Sequence, residues 1–234
     1  MFTISADFAF YTTLARECLH KRQAEDAVNN FSKALKYARK SGDTEDISSC
    51  SFNLGAALLA VGRTSEALKN LELVRPRECD HLFTGDLWYN KCLAHEKLDD
   101  AVEAMKCIQQ AMKCYSECSD EVRVVREADC ACKLASLHTQ LQEFEKAAEK
   151  YAEAASLYGE ADNMLQQAEC LFHQAQLLEH CKKHANAVDV AETCVELCSK
   201  QPDAGVGKYT KPLIFQFYFA NLTSSCTVLP DHLV

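Results

Sequence analysis

Cys107, Cys114 and Cys118 fall at i, i+7 and i+11, which puts them on one face of a helix. Cys194 and Cys198 stand four apart, a short way after His180, Cys181 and His184. Thiols and imidazoles are the side chains of zinc and redox sites. The spacing argues against that use. No Cys-x2-Cys pair is present to anchor a zinc ion, and Cys130-x-Cys132 sends its two members to different faces. The cysteines, 14 in all, are read instead as small hydrophobes that pack. Nor is there a G-x-S-x-G, a glycine-rich phosphate loop or an H-E-x-x-H. His138, His173 and His180 fall on predicted first helices as amphipathic surface residues. The expectation is therefore a protein that is not an enzyme, with no catalytic residue, no metal site and no cofactor.

The composition points to helices. Hydrophobic residues make up 48% of 234 positions, while Gly (7) and Pro (4) are too few for the turns of a sandwich or barrel. Helix formers dominate. A formal net charge of -9 gives no basic footprint for nucleic acid and no polybasic membrane patch. The longest strongly apolar run, 213–222, is too short to span a bilayer, which needs roughly 20 residues. The start of the sequence lacks a basic segment followed by a cleavage site, so no signal peptide is expected. A reduced, cytoplasmic setting for the thiols follows. Asn221-Leu222-Thr223 fits a glycosylation sequon that would be inert there.

What would position any functional side chain is a repeat. Ala15, Gly55, Ala135 and Ala175 are separated by 40 residues or a multiple of it. Twelve residues later come Ala27, Ala67, Ala147 and Ala187; then Phe31, Leu71, Tyr151 and Ala191; then Ala34, Val74, Ala154 and Cys194. A small residue on one helix, a small residue facing it, a bulky one a turn later and another small one is the size alternation that ridges-into-grooves packing needs. Five helical hairpins result: 6–20 with 24–41, 45–61 with 64–74, 83–97 with 99–118, 121–141 with 144–160, and 162–181 with 184–200. The third admits two frames. One takes Cys92, Ala104, Ile108 and Ala111; the other takes Ala101, Met105 and Ile108. The first is adopted, with the link 74–86 absorbing the phase shift as the loosest joint. Thr64-Ser65-Glu66 and Asp99-Asp100 are expected to begin helices, and Gly42, Gly62 and Gly159 to end them. After Lys200 the periodicity stops, so the chain is divided into a repeat domain, 1–200, and a non-repeat tail, 201–234.

These residues resemble the tetratricopeptide repeat family, whose signature is Leu-Gly/Ala in the first helix and Ala-x3-Phe/Tyr-x2-Ala in the second. "NLGAALLAVGRTSEALKNL" (53–71), "LARECLHKRQAEDAVNNFSKAL" (14–35) and "AAEKYAEA" (147–154) carry it. The family's usual period is 34 residues; the 40-residue spacing here is similar to rapsyn and LGN-like adaptors. The resemblance implies an all-α right-handed solenoid of about five hairpins, closed by an irregular C-terminal tail. It also implies first helices that line a concave face.

The places beside the Leu-Gly/Ala pair then become the candidate site. Arg16, Asn53, Asn90, Lys133 and Gln176 are the polar contacts, and Phe52, Tyr89 and Phe172 the apolar ones. Amides can pair an extended backbone, aromatics can hold side chains, and Lys or Arg can meet acidic groups. The expected partner is a protein, engaged through a linear segment, and the expected role is an adaptor. Chaperone-binding members of the family use a clamp of Lys and Asn. Thr12 and Arg16 stand where the first of those belong, so a chaperone tail is a poor ligand here. "AAEKYAEAASLY" (147–158) also resembles the vesicle-fusion attachment adaptors. That resemblance implies a second possibility, a subunit that works through its convex face or its ends.

Overall fold

The computed structural model describes residues 2–200. The chain divides into two compact units, residues 1–118 and 119–234. In the first unit, α1 (Phe2–His20), α2 (Ala24–Ser41), α3 (Thr44–Ala60), α4 (Thr64–Glu72), α5 (His81–Lys97) and α6 (Ala101–Tyr115) form three antiparallel hairpins. In the second, α7 (Asp120–Gln140), α8 (Phe144–Glu160), α9 (Met164–His180) and α10 (His184–Lys200) form two. Within each unit the second helix of one hairpin packs on the first helix of the next: α2 on α3, α4 on α5, α8 on α9. All described secondary structure is helical, so the chain is an array of tetratricopeptide-like hairpins. The tail 201–234 lies outside the described residues.

The size alternation is the core. Ala15, Ala27, Phe31 and Ala34 are all fully buried in the first hairpin, and Ala135, Ala147 and Ala154 in the fourth. In the second hairpin Gly55 faces Leu71. A Cβ placed on Gly55 would stand 2.7 Å from Leu71 Cγ and Cδ2, so the glycine makes room for a γ-branched side chain. Eight of the described cysteines, among them Cys50, Cys92, Cys130, Cys170 and Cys194, are buried in the same layers.

Each hairpin turns in the same way. Arg22, Gly62, Asp99, Gln142 and Lys182 all have φ between 58° and 79°. Each is followed by a residue whose N–H reaches back to the carbonyl five earlier, as from Gln23 to Cys18 and from Glu143 to His138. That is a Schellman ending, which suits glycine best, yet only one of the five is glycine. The turn settles the third repeat. Asp99 lies seven residues after Cys92, as Arg22 does after Ala15, and Cys92, Ala104, Ile108 and Ala111 are all fully buried.

Several details differ from expectation. Helix α4 stops at Glu72, two residues short of the expected end, ahead of Pro76, which disfavours helical geometry at Arg75. The link that follows is not loose. Arg77 donates to Ser49 Oγ at 2.8 Å and lies over the Phe83 ring, and the Arg75 N–H donates to Ser48 Oγ. The division between compact units falls after Cys118 instead. Thr64 does not cap α4: its hydroxyl donates to the Gly62 carbonyl, while Arg63 forms a forked pair with Glu66 at 2.7–2.8 Å. Asp99 makes the turn and Asp100 caps α6 by accepting from the Glu103 N–H. Gly159 does not make the turn, which falls at Asp162; it lies in the last turn of α8, with the end of the Gln167 side chain of α9 over it.

Gly55→Ala tests the close contact. Helix propensity favours alanine by about 1 kcal/mol, but overpacking against fully buried Leu71 costs about 1–3 kcal/mol, so a net loss of about 1 kcal/mol is expected in urea unfolding. Leu71→Val in the same chain should return part of it, a non-additivity that a generic helix effect would not show.

Candidate protein-interaction surface

The candidate residues sit on the first helices at fixed offsets from the small marker. In the first unit Arg16 is on α1, Phe52 and Asn53 on α3, and Tyr89 and Asn90 on α5. In the second unit Lys133 is on α7, and Phe172 and Gln176 on α9. Arg16 is exposed and the other seven are half-buried. The helices carrying them are fixed by contacts beyond the core. Lys97 Nζ donates to the Leu59 carbonyl at 3.0 Å, which joins the last turns of α5 and α3.

The eight are not equivalent. Phe52 packs against Phe83, the rings tilted by 44° with centroids 4.8 Å apart, and Arg77 covers the same Phe83 ring at 4.1 Å. Phe52 is thus part of the joint between the second and third hairpins as well as a face residue. Phe172 meets His173 edge-on, and His173 stacks on Tyr151 of α8 instead of standing clear on a surface. Tyr89, Lys133 and Phe172 each have an interaction inside the protein. Asn53, Asn90 and Gln176 show no hydrogen-bond partner for their amides among the described residues.

A pair of clasps was not read from the sequence. Tyr115 Oη donates to Asp86 at 2.7 Å, and Tyr158 Oη donates to Asp129 at 2.6 Å. Asp86 and Asp129 both lie six residues before their hairpin's marker, and the two tyrosines 23 after it. The other hairpins place Ala38, Glu78 and Cys198 at the tyrosine position, so the signal is confined to two repeats. Gly85 lets the Tyr115 ring lie against α5. Burial and the Asp129 carboxylate together push the Tyr158 hydroxyl far above its usual range.

The buried thiols are pushed the same way. Burial raises Cys50 to about 11, against a smaller pull from the Arg16 charge across on α1. Burial raises Cys194 to about 12. Cys170 donates to Cys132, which lowers Cys132 and raises Cys170. Among the described residues no group of three or more His, Cys, Asp or Glu converges as metal ligands would, the His180–Cys198 set included. No described helix is long and apolar enough to cross a membrane.

Paired helices, small-residue contacts and open polar groups on the first helices define a helical-repeat protein of the tetratricopeptide class. The family profile described as soluble NSF attachment protein, SNAP, matches residues 86–202, half of the chain. The chain belongs to that family. Its structure is similar to aspartyl phosphate phosphatase F from Bacillus subtilis, at 13% identity over 95% of this chain and 58% of that one, with a TM-score of 0.75. It is also similar to the kinesin light chain TPR-like repeats of Podosopora anserina, at 15% identity over 82% and 96%, with a TM-score of 0.65. A third similar structure is YrrB, a TPR protein with an unusual peptide-binding site, at 14% identity over 86% and 90%, TM-score 0.55. At these identities the likeness is one of fold.

The thiols give a pH dependence. In the unfolded chain they ionise near their ordinary value of 9.0, whereas folded Cys50 and Cys194 hold their protons to about 11 and about 12. Their contribution is complete below pH 9 and is lost as pH rises above it, at about 1.4 kcal/mol per pH unit for each group. Urea midpoints should therefore fall between pH 8.5 and pH 10.5. The fall should be shallower in a Cys50→Ala/Cys194→Ala variant; an identical slope in both proteins counts against the buried-thiol origin.

Proposed function

We propose that the protein is a non-catalytic adaptor that holds a linear segment of a partner protein against its first helices. The observation that carries this reading is the pair of amides without partners, Asn53 and Asn90, each two residues before the small marker of its first helix, α3 and α5; Gln176, one residue after the marker of α9, keeps a third amide open. An extended peptide has one N–H and one C=O per residue to offer, and an Asn or Gln side chain can pair both. Arg16 and Lys133 would meet acidic side chains of the segment, and Phe52, Tyr89 and Phe172 its apolar ones. The peptide-binding site named for YrrB supports the use of such a scaffold for peptides. The protein would work in the cytoplasm, where its buried thiols stay reduced.

The family match favours a second reading, an attachment adaptor that docks on a protein assembly through an array end or its convex side. The matched span covers the third to fifth hairpins and reaches the start of the tail.

Pull-down with mass spectrometry, comparing wild type with Asn53→Ala/Lys133→Ala, tests the first reading. Partners held by the first helices should be depleted several-fold while the circular dichroism spectrum is unchanged. An unchanged set of partners sinks it. Removing residues 201–234 tests the second: partners lost on truncation yet kept by the double variant belong to the array end.

A further inference from the structure

Net charge -9 makes a local surplus of cations on this protein conspicuous, and one exists away from the candidate surface. Between the second helices α2 and α4 of the first unit lies an open cleft of about 640 Å³. Its floor is apolar, formed by Leu35 and Leu54, each 5% exposed, with Leu73, 51% exposed, at the rim. Around that floor stand Lys36, Arg39 and Lys40 from α2 and Lys69 from α4, and no Asp or Glu lines it. None of the four cations has an ion pair among the described residues. Lys40 lies over the Tyr37 ring at 5.2 Å. Glu66, whose charge reaches Lys69, is itself held in a forked pair by Arg63.

Helix ends explain part of this and not the rest. Arg39 and Lys40 fall in the last turn of α2, where basic residues answer the helix dipole. Lys69 falls likewise in the last turn of α4, and Lys36 lies a turn earlier in α2; what the dipoles leave unexplained is Lys36 and the meeting of both sets over one leucine floor. Like charges converging from two helices on a leucine floor repel one another, and an anionic occupant relieves that repulsion. The cleft has the volume of a ligand site, whose range is about 300–1,000 Å³. Its floor is recessed, so the side chains of a peptide reach it and a flat bilayer surface does not.

We propose that this cleft is a second docking site, for an acidic amphipathic peptide segment of a partner protein. One or two bulky apolar side chains of the segment rest on Leu35, Leu54 and Leu73, and its flanking Asp or Glu residues pair with Lys36, Arg39, Lys40 and Lys69. The site shares Leu54 of α3 with the hairpin seam, but none of the eight residues of the first-helix surface lines it.

The probe is a fluorescein-labelled 14-residue peptide with Leu at i, i+3, i+4 and i+7 and Asp or Glu elsewhere. A control carries Asn and Gln in place of the acids. Anisotropy titrations use the full chain at 50 and 200 mM salt. The acidic probe should bind at least tenfold more tightly than the control, and more weakly at the higher salt, since exposed ion pairs are screened. Lys36→Glu/Lys69→Glu should lose that tenfold, and Lys36→Gln/Lys69→Gln most of it, with unchanged circular dichroism and urea midpoints. The neutral pair keeps the test valid should the reversed pair fail to fold. Asn53→Ala/Lys133→Ala should bind the probe as wild type does, whatever becomes of the first-helix reading. Equal binding of probe and control, or indifference to both charge variants, overturns the proposal. Sedimentation with phosphatidylserine vesicles that is lost in Lys36→Gln/Lys69→Gln, without probe binding, overturns it in favour of a membrane.

Discussion

The close approach of paired helices is the constraint on which everything else here depends. A hairpin of two helices of about 17 residues is held by one seam, and that seam is lined by alanine, glycine and cysteine. Small residues bury little apolar surface each, so the seam stabilises by bringing backbones near enough for many dispersion contacts. The bulky residue a turn further on, Phe31, Leu71, Ile108 or Tyr151, fills the space that the small ones cannot. Every other position can then be spent on solubility, on joints between hairpins or on recognition.

That constraint is why so much of the fold was legible. Spacing of small and bulky residues is set by the 3.6-residue turn, so the markers of the second helices were visible at a constant offset from those of the first. Helix ends were less visible for an equally physical reason. Four of the five hairpin turns use Arg, Asp, Gln or Lys in the left-handed conformation, and of these types only Asp carries a turn signal. Glycines misled in the other direction. Gly159 stands near a helix end in sequence, but the left-handed residue after α8 is Asp162, and Gly159 lies under the end of the Gln167 side chain of the neighbouring helix.

The candidate surface was legible only in outline. Offsets from the marker identify the positions beside the seam, and Asn53, Asn90 and Gln176 do keep amides open there. Offsets cannot say which aromatic rings are already in use. Phe52 packs on Phe83, a ring that Arg77, 25 residues from Phe52 in sequence, also covers. His173 is likewise taken up by Tyr151. The two tyrosine–aspartate clasps were missed because they occur in only two hairpins, too few for a repeat to announce itself.

The left-handed turns carry a consequence for how loosely the fold is tied to sequence. A side chain in that conformation costs roughly 1 kcal/mol relative to a relaxed one, and the array tolerates it because the seams on either side hold the turn closed. The seams set the shape and the turns have only to close, so a turn can be made from residues that do not favour it. Such an array can share a fold, at a TM-score of 0.75, with a protein identical to it at 13% of positions.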